Sequence, residues 1–262
     1  MNRTCQTRCV DWSAGYREYP PPAGLAAAAS CVWVGVTPAG GAPPTRVLPD
    51  ACTDLIWQQG RGVFIAGPDT GPVSEVMPPG TVLAGVRLRP GAAGAVLGLP
   101  PGVLLNQRAD VRDLRGELPA GPATELGARL PGSLPPGVAL PRLARAVRQL
   151  AAAGPPDALV AEAARRLDQP GSRVRQVAAD LGISERQLHR RCCAAVGYGP
   201  VLLRRVLRFR RFVSRIDTGR PADLARVAAD SGYADQAHLT RDSAELAGLA
   251  PAALIRARQQ AS

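Results

Sequence analysis

A short pattern that occurs twice sets the tightest limit on what this chain can fold into. In residues 173–200, RVRQVAADLGISERQLHRRCCAAVGYGP, the apolar residues Val174, Val177, Ala178 and Leu181 recur at helical spacing, which predicts a helix over 173–180. Gly182 ends it. Ser184 carries the oxygen that an N-cap needs, and Gln187, three residues on, can bond back to the Ser184 amide, so a second helix starts at Ser184. Leu188 and Cys192, one turn apart, face inward, whereas Arg186, His189, Arg190 and Cys193 fall on another face. Two short helices, a glycine turn and a basic second helix form a unit whose second member can enter a major groove.

The pattern returns in residues 227–251, VAADSGYADQAHLTRDSAELAGLAP. Val177-Ala178-Ala179-Asp180 matches Val227-Ala228-Ala229-Asp230, and Gly182 matches Gly232; after one inserted residue, Leu188, Arg190, Gly197 and Pro200 match Leu239, Arg241, Gly248 and Pro251. Two copies in one chain mean two reading heads on one polypeptide.

Charge follows the repeat. Residues 1–120 hold 10 Arg against 9 acids, whereas 121–262 hold 22 Arg against 12 acids, so the net charge of +11 sits almost wholly in the second part. Between Arg173 and Arg215 there are 11 Arg, opposed only by Asp180 and Glu185, an excess suited to a phosphate backbone. Every basic residue is Arg, so position in the repeat carries more weight than any single arginine.

LGISERQLHRRCCAAVGYGP, then LRFRRF, then GYADQAHLTRD and GLAP resemble the DNA-binding domain of the AraC/XylS family of transcription regulators, over residues 155–258. The resemblance implies a long helix over 200–216 joining the two heads, with Leu202, Val206, Phe209, Val213 and Ile216 on its buried side. It implies base-approaching positions at Ser184, Arg186, His189 and Arg190 in the first head and at Gln236, His238, Thr240 and Arg241 in the second. Arg can offer guanine, and Gln adenine, two hydrogen bonds at fixed geometry. Two features set the heads apart: Ser184 caps the first recognition helix where the second has Ala234, and Asp235, Asp242 and Glu245 surround Arg241. The first head is therefore expected to dominate affinity. Cys192 and Ser243 stand where the family has large apolar side chains, which predicts looser packing, especially of the second head.

Ahead of this, the runs CVWVGV, TRVL, TDLIW, VFIA and VLAGVRLR alternate with Gly/Pro punctuation. They predict a β-sandwich or small barrel, and an α+β chain overall: a β-rich N-terminal unit, then an all-α double helix-turn-helix domain. LPDACTDLIW, Gly67-Pro68 and GVRLRPGAA resemble a β-rich module found ahead of AraC-type domains in GC-rich bacteria, over residues 16–114. The expected organisation is a sensor domain over 1–118, a proline-rich linker with an amphipathic helix over 119–154, and a DNA-binding domain over 155–262, its two units at about 173–194 and 223–246. Residues 1–29 read as irregular. Leu143, Val147 and Leu150 can seat the linker helix on a domain of its own chain or against a second chain.

In the β-rich unit Asp54, Trp57, Arg87 and Arg89 are the candidate ligand-binding residues, with Asp50 beside them. Alternation puts Arg87 and Arg89 on one strand face, where they could hold an anion; a solvated face with structural salt bridges is the plainer reading. Cys5, Cys9, Cys31 and Cys52 raise the alternative of a metal or redox sensor, but no CxxC pair or nearby His accompanies them. No metal or cofactor is expected. His189 and His238 are the two histidines and both fall in the heads; there is no lysine and no nucleophile elbow, so an enzyme is not expected, an alkyl-transfer repair activity included. With no membrane-length apolar run and no secretory core, a cytoplasmic protein is expected. Its expected partners are double-stranded DNA and a small-molecule effector, with RNA polymerase and a second copy of the chain left open.

Overall fold

The β-favouring runs of the N-terminal part build one open sheet. The computed structural model describes residues 10–116, 122–217 and 223–261. Strands β1 (Gly15–Tyr19), β2 (Ala29–Val36), β3 (Thr45–Val47), β4 (Thr53–Gln58), β5 (Gly62–Ala66), β6 (Val73–Glu75) and β7 (Val82–Leu88) precede a short helix α1 (Ala93–Leu97), a 3-10 turn (Pro101–Leu104) and β8 (Arg108–Asp110). Six strands pair antiparallel in the order β1-β2-β7-β4-β5-β8, and β3 pairs β6 as a separate ribbon. The α+β class holds. The sheet is not closed into a barrel, because β1 and β8 end it without meeting.

Its inner face is covered by helices rather than by a second large sheet. After α2 (Pro122–Arg129), α3 (Pro136–Ala153) buries Ala139, Leu140, Leu143, Ala144, Val147 and Leu150, an i, i+3, i+4 stripe, against Val32, Val34, Leu55, Trp57, Val86 and Leu88. The amphipathic segment of the proline-rich stretch thus packs within its own chain and forms part of the core of the β-rich unit. The outer face buries Cys31, Trp33, Ile56, Phe64 and Ala66. There the Trp33 indole lies flat on Gly85, where a Cβ would come within 2.1 Å of the ring. β1, β6 and β8, which the sequence pattern does not mark, are short polar strands, two of them at the sheet edges.

The C-terminal part is all helix: α4 (Ala158–Leu167), α5 (Val174–Asp180), α6 (Glu185–Val196), α7 (Pro200–Asp217), α8 (Leu224–Asp230), α9 (Gln236–Ala247) and α10 (Pro251–Ala261). The pairs α5–α6 and α8–α9 are the two units of the repeat, and α7 joins them. Gly182 and Gly232 adopt left-handed backbone (φ 68° and 86°) in the two turns, where an L side chain would be strained. The buried side of α7 is Leu203, Val206, Leu207, Phe209, Phe212 and Ile216. Val206, Phe209 and Ile216 are buried as expected, whereas Leu202 and Val213 are only partly buried and Leu203, Leu207 and Phe212 complete the inward side.

The two parts touch. Ala51 lies in the helical core with Leu48 and Leu105 beside it, and the 3-10 turn meets the end of α6, where a Cβ on Gly197 would sit 3.2 Å from the Pro101 carbonyl oxygen. Arg46 of β3 donates from Nη1 to the Ala247 carbonyl (2.9 Å), at the last turn of α9.

Candidate nucleic-acid interface

Helix α6 begins as its sequence dictates. Ser184 Oγ accepts from the Gln187 amide (3.2 Å), and the Ser184 amide donates to Gln187 Oε1 (2.9 Å), a complete capping box. Ser184 is thereby committed to starting the helix. Leu188, Cys192, Ala195 and Val196 point into the core, which leaves Arg186, His189 and Arg190 exposed. His189 is braced: its ring lies over Gly199, where a Cβ would come within 2.7 Å of it, and its Nε2 is 3.5 Å from Cys193 Sγ.

Helix α9 corrects the expected difference between the heads. The inserted residue is Ala234, which lengthens the turn: the Ile183 and Tyr233 amides make the matching bonds to Ala178 and Ala228, and the cap then falls on Ser184 in one unit and Asp235 in the other. An Asp235 side-chain oxygen accepts from the His238 amide (2.6 Å). The second recognition helix is therefore also capped, by a residue type as favourable, though with one side-chain bond where the first has the reciprocal box. Nor do acids surround Arg241. Asp242 is buried and pairs with Arg205 and Arg208 of α7, and Glu245 pairs with Arg205. Gln236, Thr240 and Arg241 are exposed, the Thr240 hydroxyl donating back to the Gln236 carbonyl (2.9 Å). His238 is half-buried with its ring edge-on to Tyr233 (5.2 Å, 86°). Burial, with Arg208 nearby, lowers its pKa below the ordinary value, so it is neutral at physiological pH. Ser243 does not leave the second head loose, since it is fully buried and donates to the Leu249 carbonyl (2.7 Å).

Much of the basic excess is committed inside the domain. On α7, Arg204 donates to the Ser172 carbonyl, Arg205 and Arg208 hold Asp242, and Arg210 and Arg211 hold Asp168. Exposed cations lie on the units themselves, Arg173, Arg175, Arg186 and Arg190 on the first and Arg226 and Arg241 on the second, and Arg256 is exposed on α10. Sequence reading missed the inward role of Asp242. The signal was its place in the stripe Leu239, Asp242, Ser243, Leu246, where a charge needs a partner.

The four candidate ligand residues of the β-rich unit do not converge. Trp57 points to the inner core and donates from Nε1 to the Pro131 carbonyl (3.0 Å), while Arg89 is exposed and donates to the Ala26 carbonyl. Asp54 and Arg87 do meet, directly opposite on β4 and β7. Arg87 also pairs with Glu18 (2.8 Å) and Asp50 (3.4 Å), so three carboxylates surround one guanidinium and an anionic ligand would be repelled. Trp33 donates to Asp54 Oδ1 (2.8 Å).

Burial raises Asp54 to about 6, with Arg87 opposing and Asp50 reinforcing the shift. The folded form thus holds this proton more tightly than the unfolded chain, so Asp54 contributes stability below about pH 4 that is lost as pH rises through about 6. Thermal melts of Asp54→Asn should lie close to those of the wild type at pH 4, where both side chains are neutral, and rise relative to them by pH 7, where only the wild type must ionise a buried carboxyl; a gap independent of pH would contradict this. Cys31 and Cys52 are buried, and burial lifts the first thiol to about 11 and the second well above its usual value, so neither is an activated thiol. Cys5 and Cys9 lie outside the described residues.

Residues 177–257 match a family model described as a helix-turn-helix domain, and residues 17–110 match one described as a domain of unknown function. No curated protein matches the chain. Among solved structures, ToxT from Vibrio cholerae aligns over 86% of this chain and 98% of its own at 7% identity and a TM-score of 0.45. The apo form of a ToxT variant from strain SCE256 aligns over 86% and 97% at 10% identity and 0.44, and wild-type ToxT with bound unsaturated fatty acid over 86% and 94% at 10% identity and 0.42. The paired units and the family match define a DNA-binding protein of the transcription-regulator class. Within it, the chain carries an AraC-type helix-turn-helix domain at its C-terminal end, preceded by a domain of unknown function. No helix among the described residues is long and apolar enough to cross a membrane.

Proposed function

We propose that this chain recognises specific double-stranded DNA sequences by placing α6 and α9 in successive major-groove segments, and that a small ligand acting through the β-rich unit shifts the population of DNA-competent states. The pair Arg190 and Arg241 carries the first part: matched across the repeat, both exposed, each on a helix started by a side-chain cap. Arg186, His189, Gln236 and Thr240 flank them as further base or backbone contacts. Ser184 and His238 act from behind, one as cap and one packed on Tyr233. Arg173, Arg175 and Arg226 supply phosphate contacts that set register without reading sequence.

Support for the second part is the way the β-rich unit reaches both recognition helices at their C-terminal ends, through Pro101 at Gly197 and Arg46 at Ala247. Asp50, which faces Arg87 on the outer sheet face, precedes Ala51, which is buried in the helical core, so a change at that charge cluster has a short covalent path to the first head. The buried Cys31 and Cys52 do not favour a thiol sensor.

Fluorescence-anisotropy titration of the full chain on a selected duplex tests the reading. The logarithm of the affinity should fall linearly with that of the salt concentration, by about 0.9 per phosphate neutralised. An affinity unchanged between low and moderate salt would remove the backbone contacts, and equal binding to selected and scrambled duplexes would remove the sequence reading.

A further inference from the structure

The register that matches Arg190 to Arg241 also matches Arg191 to Asp242, and both residues tie their recognition helix to the helix behind it, with opposite charge. In the first head Arg191 pairs with Asp157, the N-cap of α4, at 2.7 Å, and both side chains are partly exposed (46% and 30%). In the second, Asp242 is 4% exposed and sits between two arginines of α7, with Oδ2 2.6 Å from Arg208 Nη2 and Oδ1 2.6 Å from Arg205 Nε. Arg208 is itself 5% exposed and lies over the Tyr233 ring at 4.6 Å, and the edge of that ring contact meets His238. His238 and Asp242 are one turn apart on α9, so Arg208 of the joining helix holds the recognition helix directly at Asp242 and, through the Tyr233 ring, at His238 one turn earlier.

Stability does not account for these ions. Desolvating a buried pair consumes most of what the pair's attraction returns, and apolar side chains of similar volume commonly do as well or better. Here Arg208 Nε and the Tyr233 hydroxyl are buried and make no hydrogen bond among the described residues, which lowers the return further. What the bridge supplies is direction. An apolar contact tolerates rotation of one helix on another, whereas two guanidinium bonds to the two oxygens of one carboxylate fix the angle. Arg241 is the adjacent residue, so any rotation of α9 at Asp242 carries Arg241 with it.

We propose that the Arg205–Asp242–Arg208 bridge, braced by Tyr233, sets the rotation of the second recognition helix against the joining helix and so selects which base edges Arg241 meets. These are positioning residues that touch no DNA, and the proposal rests on Arg241 being a DNA contact.

The test replaces the bridge by uncharged side chains in the full chain, apolar at the two buried positions (Arg208→Met and Asp242→Leu) and polar at the partly exposed one (Arg205→Gln), and reads binding to a matched duplex and to duplexes altered in one segment at a time. The expected result is wild-type melting and helix content, little change in binding to random duplex, and a loss of about tenfold or more in discrimination confined to the segment read by α9. Discrimination at wild-type level in that segment, in a folded triple variant, overturns the proposal. Should the triple variant not fold, Arg205→Gln alone decides: it keeps the buried Arg208 pair and removes one of the two fixing bonds. A selective loss in the α9 segment then supports the proposal and none overturns it. Arg241→Ala, run in parallel, separates the two readings. If Arg241→Ala loses that discrimination and the bridge variants do not, the positioning role alone falls; if Arg241→Ala loses nothing, the contact reading falls and the positioning role with it.

Discussion

Asp242→Ala is expected to lower the stability of the helical domain by about 3–5 kcal/mol, read as an early denaturation midpoint of the helical signal. The change removes the one carboxylate between Arg205 and Arg208, and Arg208, almost wholly buried, is left as an uncompensated charge against Tyr233. Arg205 keeps Glu245 and loses less. The repeat supplies its own control. Arg191→Ala, at the matched position of the first head, breaks an ion pair whose members are both partly exposed, and should cost under about 1 kcal/mol. A loss at Asp242 no larger than that at Arg191 would show that water reaches Arg208 and that the bridge is not a buried one.

The contrast between these two positions shows what sequence could and could not carry. The helix-turn-helix units were legible because their signals are local: a cap three residues before its partner, a glycine in the left-handed region, an apolar stripe of fixed period. Strands β2, β4, β5 and β7 were legible for the same reason, as alternating or continuously apolar runs. What depends on a partner far along the chain was not. An arginine run on α7 looks like a phosphate-binding surface until Asp168 and Asp242 are seen to neutralise it. Trp57 looks like a ligand platform until α3 is seen to cover its face of the sheet. The cap of the second head was missed by one residue, because the inserted Ala234 moves the boundary and Asp235, read as a charge near Arg241, is the cap itself.

That one-residue shift changes the expected outcome of the most direct DNA-binding experiment. With Ala234 as cap and three acids around Arg241, the second head would be the weaker, and Arg190→Ala would abolish specific binding while Arg241→Ala mattered less. The structure removes both grounds: Asp235 caps α9, and Asp242 and Glu245 point to α7. Arg190 and Arg241 then stand on equal footing, exposed and matched on helices of the same length. Each substitution is expected to cost about 1–3 kcal/mol of discrimination against altered bases, roughly tenfold to a hundredfold in the affinity ratio, each in its own segment of the site. The two losses should add within a few tenths of a kcal/mol, since the residues lie on separate units with no shared partner. Competition titrations with duplexes altered in one segment at a time measure both quantities. Losses falling in the same segment, or a double variant no worse than the poorer single one, would mean that only one of the two helices reads bases while the other merely holds the backbone.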